Sequence, residues 1–419
     1  MGATVTSPVR ELVGAAAAAA GAATGAMAAA TEEQIGEALA AIASALGAES
    51  AAILAANRAD IEAGEGVLSK GSLDRLRLGS TRLEGIAAQV RALASLPALE
   101  RVVGRRTLAN GLELEERRVP VGVIGANYEA RPNVTVDFAT QLIKSRNAGV
   151  LRTGGASLRS AEALVDLAIG PGLAAAGLPP PAIQLVRTAD REAAQALVSF
   201  PKEIPLVILR GSGEMTASLA REASRHGVRT LAHAEGGGVL YVHPGADPAM
   251  ALRLIEGSLD RLGVCNRLNL LLVDETIWER FVPAAVSVLE RLGITPSLPP
   301  HDHPIGYEWA TDPARDATVT LAPAPGPAAA AGIANRETSG LAAGIVTADA
   351  AAAETFLGAY QGTAGFWNAT TRWLDGYELT SAPETGINID RVPGPRGPVT
   401  YRDLYLRQYV ITGDGTQHR

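Results

Sequence analysis

The sequence predicts an α/β protein of two lobes, each a parallel sheet covered by helices, with a small antiparallel β arm. Three observations carry this. From about residue 120, apolar runs such as "VGVIGA", "AGVLRT" and "IPLVILR" alternate with helix-length segments, the mark of strands buried on both faces. A second block of the same alternation begins at Pro248. A chain of 419 residues also exceeds what one core usually serves.

The first hundred residues read as helices. Leu12 to Thr31 carries no charge and is mostly Ala, Gly and Thr, a small-residue helix weakened by Gly21 and Gly25. Such residues transfer poorly into lipid, and Arg10 with Glu11 does not make a basic leader, so the run is read as neither a span nor a signal peptide. Thr31 with Gln34 forms a capping box, after which Ile35, Leu39, Ile42 and Leu46 mark one face as far as Gly47. Further helices are expected over Ala51 to Ala63 and from about Leu73 to Leu96.

From Arg105 the period changes. "RTLANGLELEERRVP" predicts a hairpin turning at Asn110-Gly111, followed by the buried strand "VGVIGA". Helices near Val134 to Lys144 and Arg159 to Ala176, in "REAAQALVSF" and in "EMTASLAREASRHG", separate the strands "AGVLRT", "AIQLVRT" and "IPLVILR". The second block holds a helix over Pro248 to Leu262, the strand "RLNLLLVD", the helix "IWERFVPAAVSVLERLG" and the strands "ATVTLAP", "AAGIVT" and "GFWNAT". The tail "RQYVITGD" is a strand that pairs with the early hairpin or with another subunit.

Composition narrows the function. The net charge of −7 argues against a general nucleic-acid surface. A single cysteine excludes an internal disulfide framework and fits a reducing compartment, so the expectation is a cytoplasmic protein without a membrane span. No Cys/His cluster has zinc spacing, and no metal is expected; His301 and His303 lie in a Pro-rich loop without obvious partner ligands.

Gly-rich turns follow two strands, in "RTGGAS" and "RGSGEM". Backbone N–H groups there, beside helix N-termini, suit phosphate, but glycine also simply ends strands. Cys265, in "RLGVCNRLNLLLVD", opens the second lobe just before its first strand. It is read either as a small buried hydrophobe or as a nucleophile facing a cleft between lobes.

"ILAANRADIEAGE", "SLDRLRLGSTRLEGIAAQVRALASLP", "YEARPNVTVD", "AHAEGGGVLYV", "GVCN", "WNATTRWLDGYEL" and "RGPVTYRDLYL" occur in that order. In these blocks the chain resembles the aldehyde dehydrogenase superfamily and, within it, the gamma-glutamyl phosphate reductase branch. The resemblance implies an aldehyde dehydrogenase-like fold with two Rossmann-like lobes and a β arm for oligomerisation. It places a dinucleotide-binding domain at 1–104 and 120–245, a catalytic domain at 246–395, and the arm at 105–119 and 396–414. Some blocks depart from the branch. Gly238-Val239 replaces a Cys-His pair, Asn269 takes the place of a Glu, the "LRGG" turn is "LRTGG", and "TSGLAAGIVT" replaces a segment beginning EHS.

The implied reaction is NADPH-dependent reduction of gamma-glutamyl 5-phosphate to glutamate 5-semialdehyde and phosphate, a step of proline biosynthesis, through a thioester on Cys265. Asn133 is the candidate oxyanion amide, or else a cap of its helix. Glu235 is the candidate base or proton relay, or else an exposed turn carboxylate. Arg152, with Arg159 as helper, is placed near the adenine ribose and its 2′-phosphate, against a reading as solvated surface arginines. Gly211, Ser212 and Gly213 lie near the pyrophosphate. Asn368 and Arg372 edge the substrate pocket, an intramolecular ion pair being the alternative for Arg372. The altered blocks leave room for a relative acting on another acyl phosphate or aldehyde, or for a silent scaffold that assembles with an upstream kinase. The retained "GVCN" argues against silence. A homodimer or homotetramer is expected.

Overall fold

The computed structural model describes residues 7–68, 70–211, 213–233, 236–312, 314–390 and 394–417. The chain forms two compact units, one of residues 1–232, 381–386 and 399–419, the other of residues 233–380 and 387–398.

In the first unit the described strands make a five-stranded sheet in the order Ile183–Leu185, Ala148–Thr153, Val123–Tyr128, Leu206–Arg210, Arg229–His233. The pairings among its first four strands are parallel. Val123–Tyr128 and Ala148–Thr153 are buried at every residue, as strands covered on both faces must be. The strand order reverses between Val123–Tyr128 and Leu206–Arg210, and in such sheets the crevice beyond the carboxyl ends at the reversal receives ligands.

The small-residue helix is Pro8–Ala29. It is long and apolar enough to cross a membrane, yet Val13, Ala17, Ala20 and Met27 are buried in the core of the unit. The capping box forms as expected: Gln34 N–H donates to Thr31 Oγ1 and Thr31 N–H to Gln34 Oε1, both at 3.1 Å.

Two expected helices are interrupted, each for a local reason. The segment 73–96 divides into Lys70–Leu76 and Ser80–Ser95. The buried amide of Asn57 holds the break, accepting from Leu78 N–H at 2.8 Å and donating to Leu76 O at 2.9 Å. The segment 159–176 contains a π-helical turn, Val165–Ile169, just before Gly170-Pro171. Proline lacks an N–H and crowds the preceding turn, which a wider turn accommodates.

The hairpin Val102–Thr107 and Glu113–Pro120 is joined by Tyr405–Thr412 into a three-stranded antiparallel sheet. The tail thus pairs with the hairpin over eight positions, from Tyr405 opposite Pro120 to Thr412 opposite Glu113. Gly111, at φ 83°, supplies the left-handed turn.

The second unit holds a six-stranded sheet, all parallel, in the order Thr295–Ser297, Thr318–Ala324, Leu268–Asp274, Gly238–Val242, Ala342–Val346, Ala364–Trp367. This corrects the expected boundary at 245/246. Gly238–Val242 lies between Leu268–Asp274 and Ala342–Val346, so residues 233–245 belong to the second unit. The arm is also narrower than 396–414, because Val399, Tyr401 and Leu404 are buried in the core of the first unit.

Candidate active site

Cys265 lies three residues ahead of Leu268–Asp274, at the amino-terminal edge of the second sheet. It is partly buried and packs against a small cluster that includes Leu341, Ala342, Leu374 and Ile387. Its loop is held by the glycine run of the neighbouring strand. Gly237 N–H donates to Cys265 O and Gly238 N–H to Arg267 O, each at 2.7 Å. A Cβ on Gly236 would stand 2.5 Å from Cys265 O and 2.7 Å from Cys265 Cα, and one on Gly238 would meet Thr371 and Arg267 O. Gly237 has φ +98°, where a side chain is strained. The run "GGG" therefore lets two backbones approach more closely than any side chain permits.

The residues after Cys265 anchor the loop from the other side. Asn266 Nδ2 donates to the carbonyls of Arg372 at 3.1 Å and Leu374 at 2.9 Å, while Thr371 Oγ1 donates to Asn266 O at 2.7 Å. Arg372 Nε donates to Asp260 Oδ1 at 2.6 Å, and its Nη1 bonds the Asn266 amide oxygen. Of the two readings of Arg372, the intramolecular pair is the one formed. Asn368, at φ 53°, bridges the backbone of Thr347, accepting from its N–H and donating to its carbonyl, both at 2.9 Å. Both side chains serve the scaffold around the loop. Glu235 lies outside the described residues.

Asn269, which stands where the related branch has Glu, is buried on Leu268–Asp274. Its Nδ2 donates to Tyr307 O at 2.8 Å, and its Oδ1 accepts from Trp309 N–H at 3.0 Å. Trp309 is 2% exposed, donates from Nε1 to Thr320 Oγ1 at 2.9 Å and stacks edge-on with Tyr307 and His303. The clamp fixes the intervening Glu308, whose Oε1 lies 2.7 Å from the same Gly236 Cβ position as Cys265 Cα. Sequence reasoning passed over Glu308. No local pattern marks it, and only the fold brings "GYEW" to the "GGG" and "GVCN" segments.

In the first unit, Asn133 sits in the first turn of Pro132–Lys144, whose N-cap makes no side-chain cap bond. The capping alternative for Asn133 is thus not realised. Its Nδ2 donates to Asp137 Oδ2 at 3.1 Å, and its Oδ1 accepts from Arg82 at 3.4 Å. The Asp137 carboxyl is pushed up to about 7, chiefly by desolvation, with Arg210 opposing and Glu384 reinforcing the rise.

Arg152 is the penultimate residue of the strand Ala148–Thr153 and is 6% exposed, so the alternative of a solvated surface arginine is not realised. It donates to Asn127 Oδ1 at 3.3 Å and to Asp190 O at 3.2 Å, and its Nε is buried without a hydrogen-bond partner. Its pKa is lowered by burial first and then by the neighbouring Arg191, a second cation that sequence reasoning missed. Arg159 is largely exposed and lies 3.5 Å from Asp60 Oδ1.

These features fit a phosphate-bearing cofactor. Positive charge gathers at the end of a parallel strand, an orphaned donor remains, and Gly154 and Gly155 sit where a Cβ would press on Ala130 and Ala189. Gly211 follows Leu206–Arg210, and Gly213 opens the helix Gly213–His226; Ser212 between them lies outside the described residues.

Comparison with known proteins agrees with this construction. The model of the aldehyde dehydrogenase family matches residues 2–304. A gamma-glutamyl phosphate reductase of Caulobacter sp. (strain K31) is 36% identical over 87% of this chain and 88% of its own. One of Methylobacterium sp. (strain 4-46) is 38% identical over 87% and 86%. The crystal structure of gamma-glutamyl phosphate reductase from Thermotoga maritima superposes with a TM-score of 0.90 at 26% identity, covering 97% of this chain and 100% of that one. By these matches the chain belongs to the aldehyde dehydrogenase family, in the branch of the gamma-glutamyl phosphate reductases.

Proposed function

We propose that the protein reduces gamma-glutamyl 5-phosphate to glutamate 5-semialdehyde and phosphate with NADPH, through a thioester on Cys265, in the cytoplasm as a step of proline biosynthesis. The observation that carries this reading is the single cysteine held by its backbone against the 236–238 glycines, in a chain 36% identical to a reductase of that name.

The thiolate of Cys265 attacks the acyl carbonyl, and phosphate departs with the electron pair of the broken C–O bond. The Cys265 N–H and the Asn133 amide are the donors proposed for the oxyanion. Glu235 is the proposed proton relay for the thiol. A bound nicotinamide supplies the hydride. Gly211, Ser212 and Gly213 flank the pyrophosphate, and Arg152 with Arg159 faces the adenine ribose.

The test is phosphate-dependent oxidation of a panel of omega-semialdehydes with NADP. Glutamate 5-semialdehyde is expected to give the highest kcat/KM, and turnover is expected to need phosphate. Phosphate-independent turnover, or a tenfold preference for another aldehyde, would overturn the reading. A second reading, a relative acting on another acyl phosphate, draws support from Arg372 and Asn368, whose side chains are engaged within the chain.

Preference for NADPH over NADH is expected to depend on Arg152. A charge-assisted contact contributes about 1.5–3 kcal/mol, so Arg152→Ala is expected to weaken NADPH binding by roughly 10- to 100-fold and NADH binding much less. Titration of both dinucleotides by fluorescence checks this. Equal loss for the two would remove Arg152 from 2′-phosphate recognition.

The arm is proposed to join subunits into at least a dimer. Its outer strand Tyr405–Thr412 carries exposed Leu406, Tyr409 and Ile411 along an open edge, an arrangement that invites a further strand.

A further inference from the structure

The geometry points to Glu308 as a carboxylate beside the Cys265 loop that keeps the thiol protonated in the resting enzyme, and to Asn269 as the residue that positions Glu308. The inference rests on the reading of Cys265 as the nucleophile and adds to it a control on when the thiol ionises.

Glu308 Oε1 and Cys265 Cα each lie 2.7 Å from one point, the place a Cβ on Gly236 would occupy. The absence of that Cβ is what admits a carboxylate to the cysteine loop. The carboxylate is not loosely placed. Asn269 holds the backbone on both sides of it, through Tyr307 O and Trp309 N–H, and Trp309 is locked in turn by Thr320. A buried amide that binds both flanks of one residue fixes where that residue's side chain starts.

The cations beside the loop oppose this effect, and Glu308→Gln leaves them less opposed, so they do not change its sign. Arg372 is neutralised by Asp260 at 2.6 Å. Arg267 is fully buried and gives its two terminal nitrogens to Asp316 O at 2.5 Å and Thr318 O at 3.0 Å. Asp316 and Glu308 both act on Arg267 electrostatically, which places Glu308 within the same charge cluster. Glu235 belongs to the segment outside the described residues and is therefore varied in parallel. An anion beside a thiol disfavours the thiolate. A thiol held neutral resists oxidation and stray alkylation, both of which need the thiolate.

Because the chain has one cysteine, alkylation by neutral iodoacetamide reads this thiol alone. The experiment measures the second-order alkylation rate of the full-length protein from pH 6 to 10, without substrate. Glu308→Gln keeps the shape of the side chain and removes its charge. It is expected to lower the apparent thiol pKa by a unit or more, so that alkylation at pH 7.5 is about tenfold faster than in the wild type. Rates are expected to converge at pH 10. Asn269→Ala is expected to shift the profile in the same direction, and to add nothing when combined with Glu308→Gln.

An unchanged or raised pKa in Glu308→Gln would overturn the proposal, as would a shift produced by Glu235→Gln in its place. A further shift from Asn269→Ala on top of Glu308→Gln would overturn the positioning role. Alkylation needs no turnover, so these failures leave the nucleophile assignment intact. That assignment stands or falls with activity after Cys265→Ser.

Discussion

Cys265→Ser is expected to abolish turnover while leaving NADPH binding unchanged. A free thiol is a few per cent ionised near neutral pH and is intrinsically nucleophilic, whereas a serine hydroxyl needs a base to form an alkoxide. The oxygen ester that serine would form is also a poorer hydride acceptor than a thioester. The expected loss in kcat is at least about a thousandfold, equivalent to roughly 4 kcal/mol of transition-state stabilisation. The replacement is nearly isosteric, and the loop is held through its backbone, by Gly237 N–H on Cys265 O, so the fold has no reason to move. Stopped-flow absorbance gives the rate, and dinucleotide fluorescence gives the binding. Retention of a tenth of the wild-type rate would remove Cys265 from the mechanism.

Truncation after Leu404 is expected to convert an oligomer into monomers or aggregates. Cutting earlier, after Arg396, would be uninformative, because Val399, Tyr401 and Leu404 are core residues of the first unit. Tyr401 also donates from its hydroxyl to Pro97 O at 2.8 Å and from its N–H to the amide oxygen of Gln141 at 2.5 Å. The strand Tyr405–Thr412 is different. Its pairing is with Glu113–Pro120, and most of its side chains are exposed. Its loss leaves a two-stranded hairpin, which is marginally stable in water, and bares a second edge. Subunit contacts built on a sheet edge are symmetric by default, so the smallest closed product of the intact arm is a dimer. Sedimentation velocity at micromolar concentration separates the outcomes. A full-length protein that sediments as an active monomer would refute the role of the arm.

Much of the fold was legible because its signals are local. The capping box at Thr31, the Asn110-Gly111 turn and the unbroken apolar run "LNLLLVD" each state a conformation within a few residues. What stayed hidden depends on partners distant in sequence. The break at Arg77–Gly79 is made by Asn57, about twenty residues upstream. The strand Gly238–Val242 follows a glycine run that resembles a loop, and only its neighbours at 268–274 and 342–346 make it a central strand. The same holds at the candidate site. Cys265 was legible as the sole cysteine in a recognisable block, whereas Glu308 acquires significance only through Asn269 and Gly236. Arg152 was legible in position but not in burial, since burial follows from the sheet around it.

The return of the chain to the first unit at residues 381–386 and 399–404 has a consequence for synthesis. Ala382, Val399, Tyr401 and Leu404 complete a core whose earlier buried members end at Val228. On a ribosome adding about 5–20 residues per second, the stretch of about 150 residues between Val228 and Ala382 takes roughly 8–30 s to emerge. The second unit, contiguous from 233 to 380 apart from a short closing segment, gathers nearly all of its own chain within that interval. The nascent amino-terminal part meanwhile waits with an apolar seam uncovered, until Ala382 and residues 399–404 emerge to seal it.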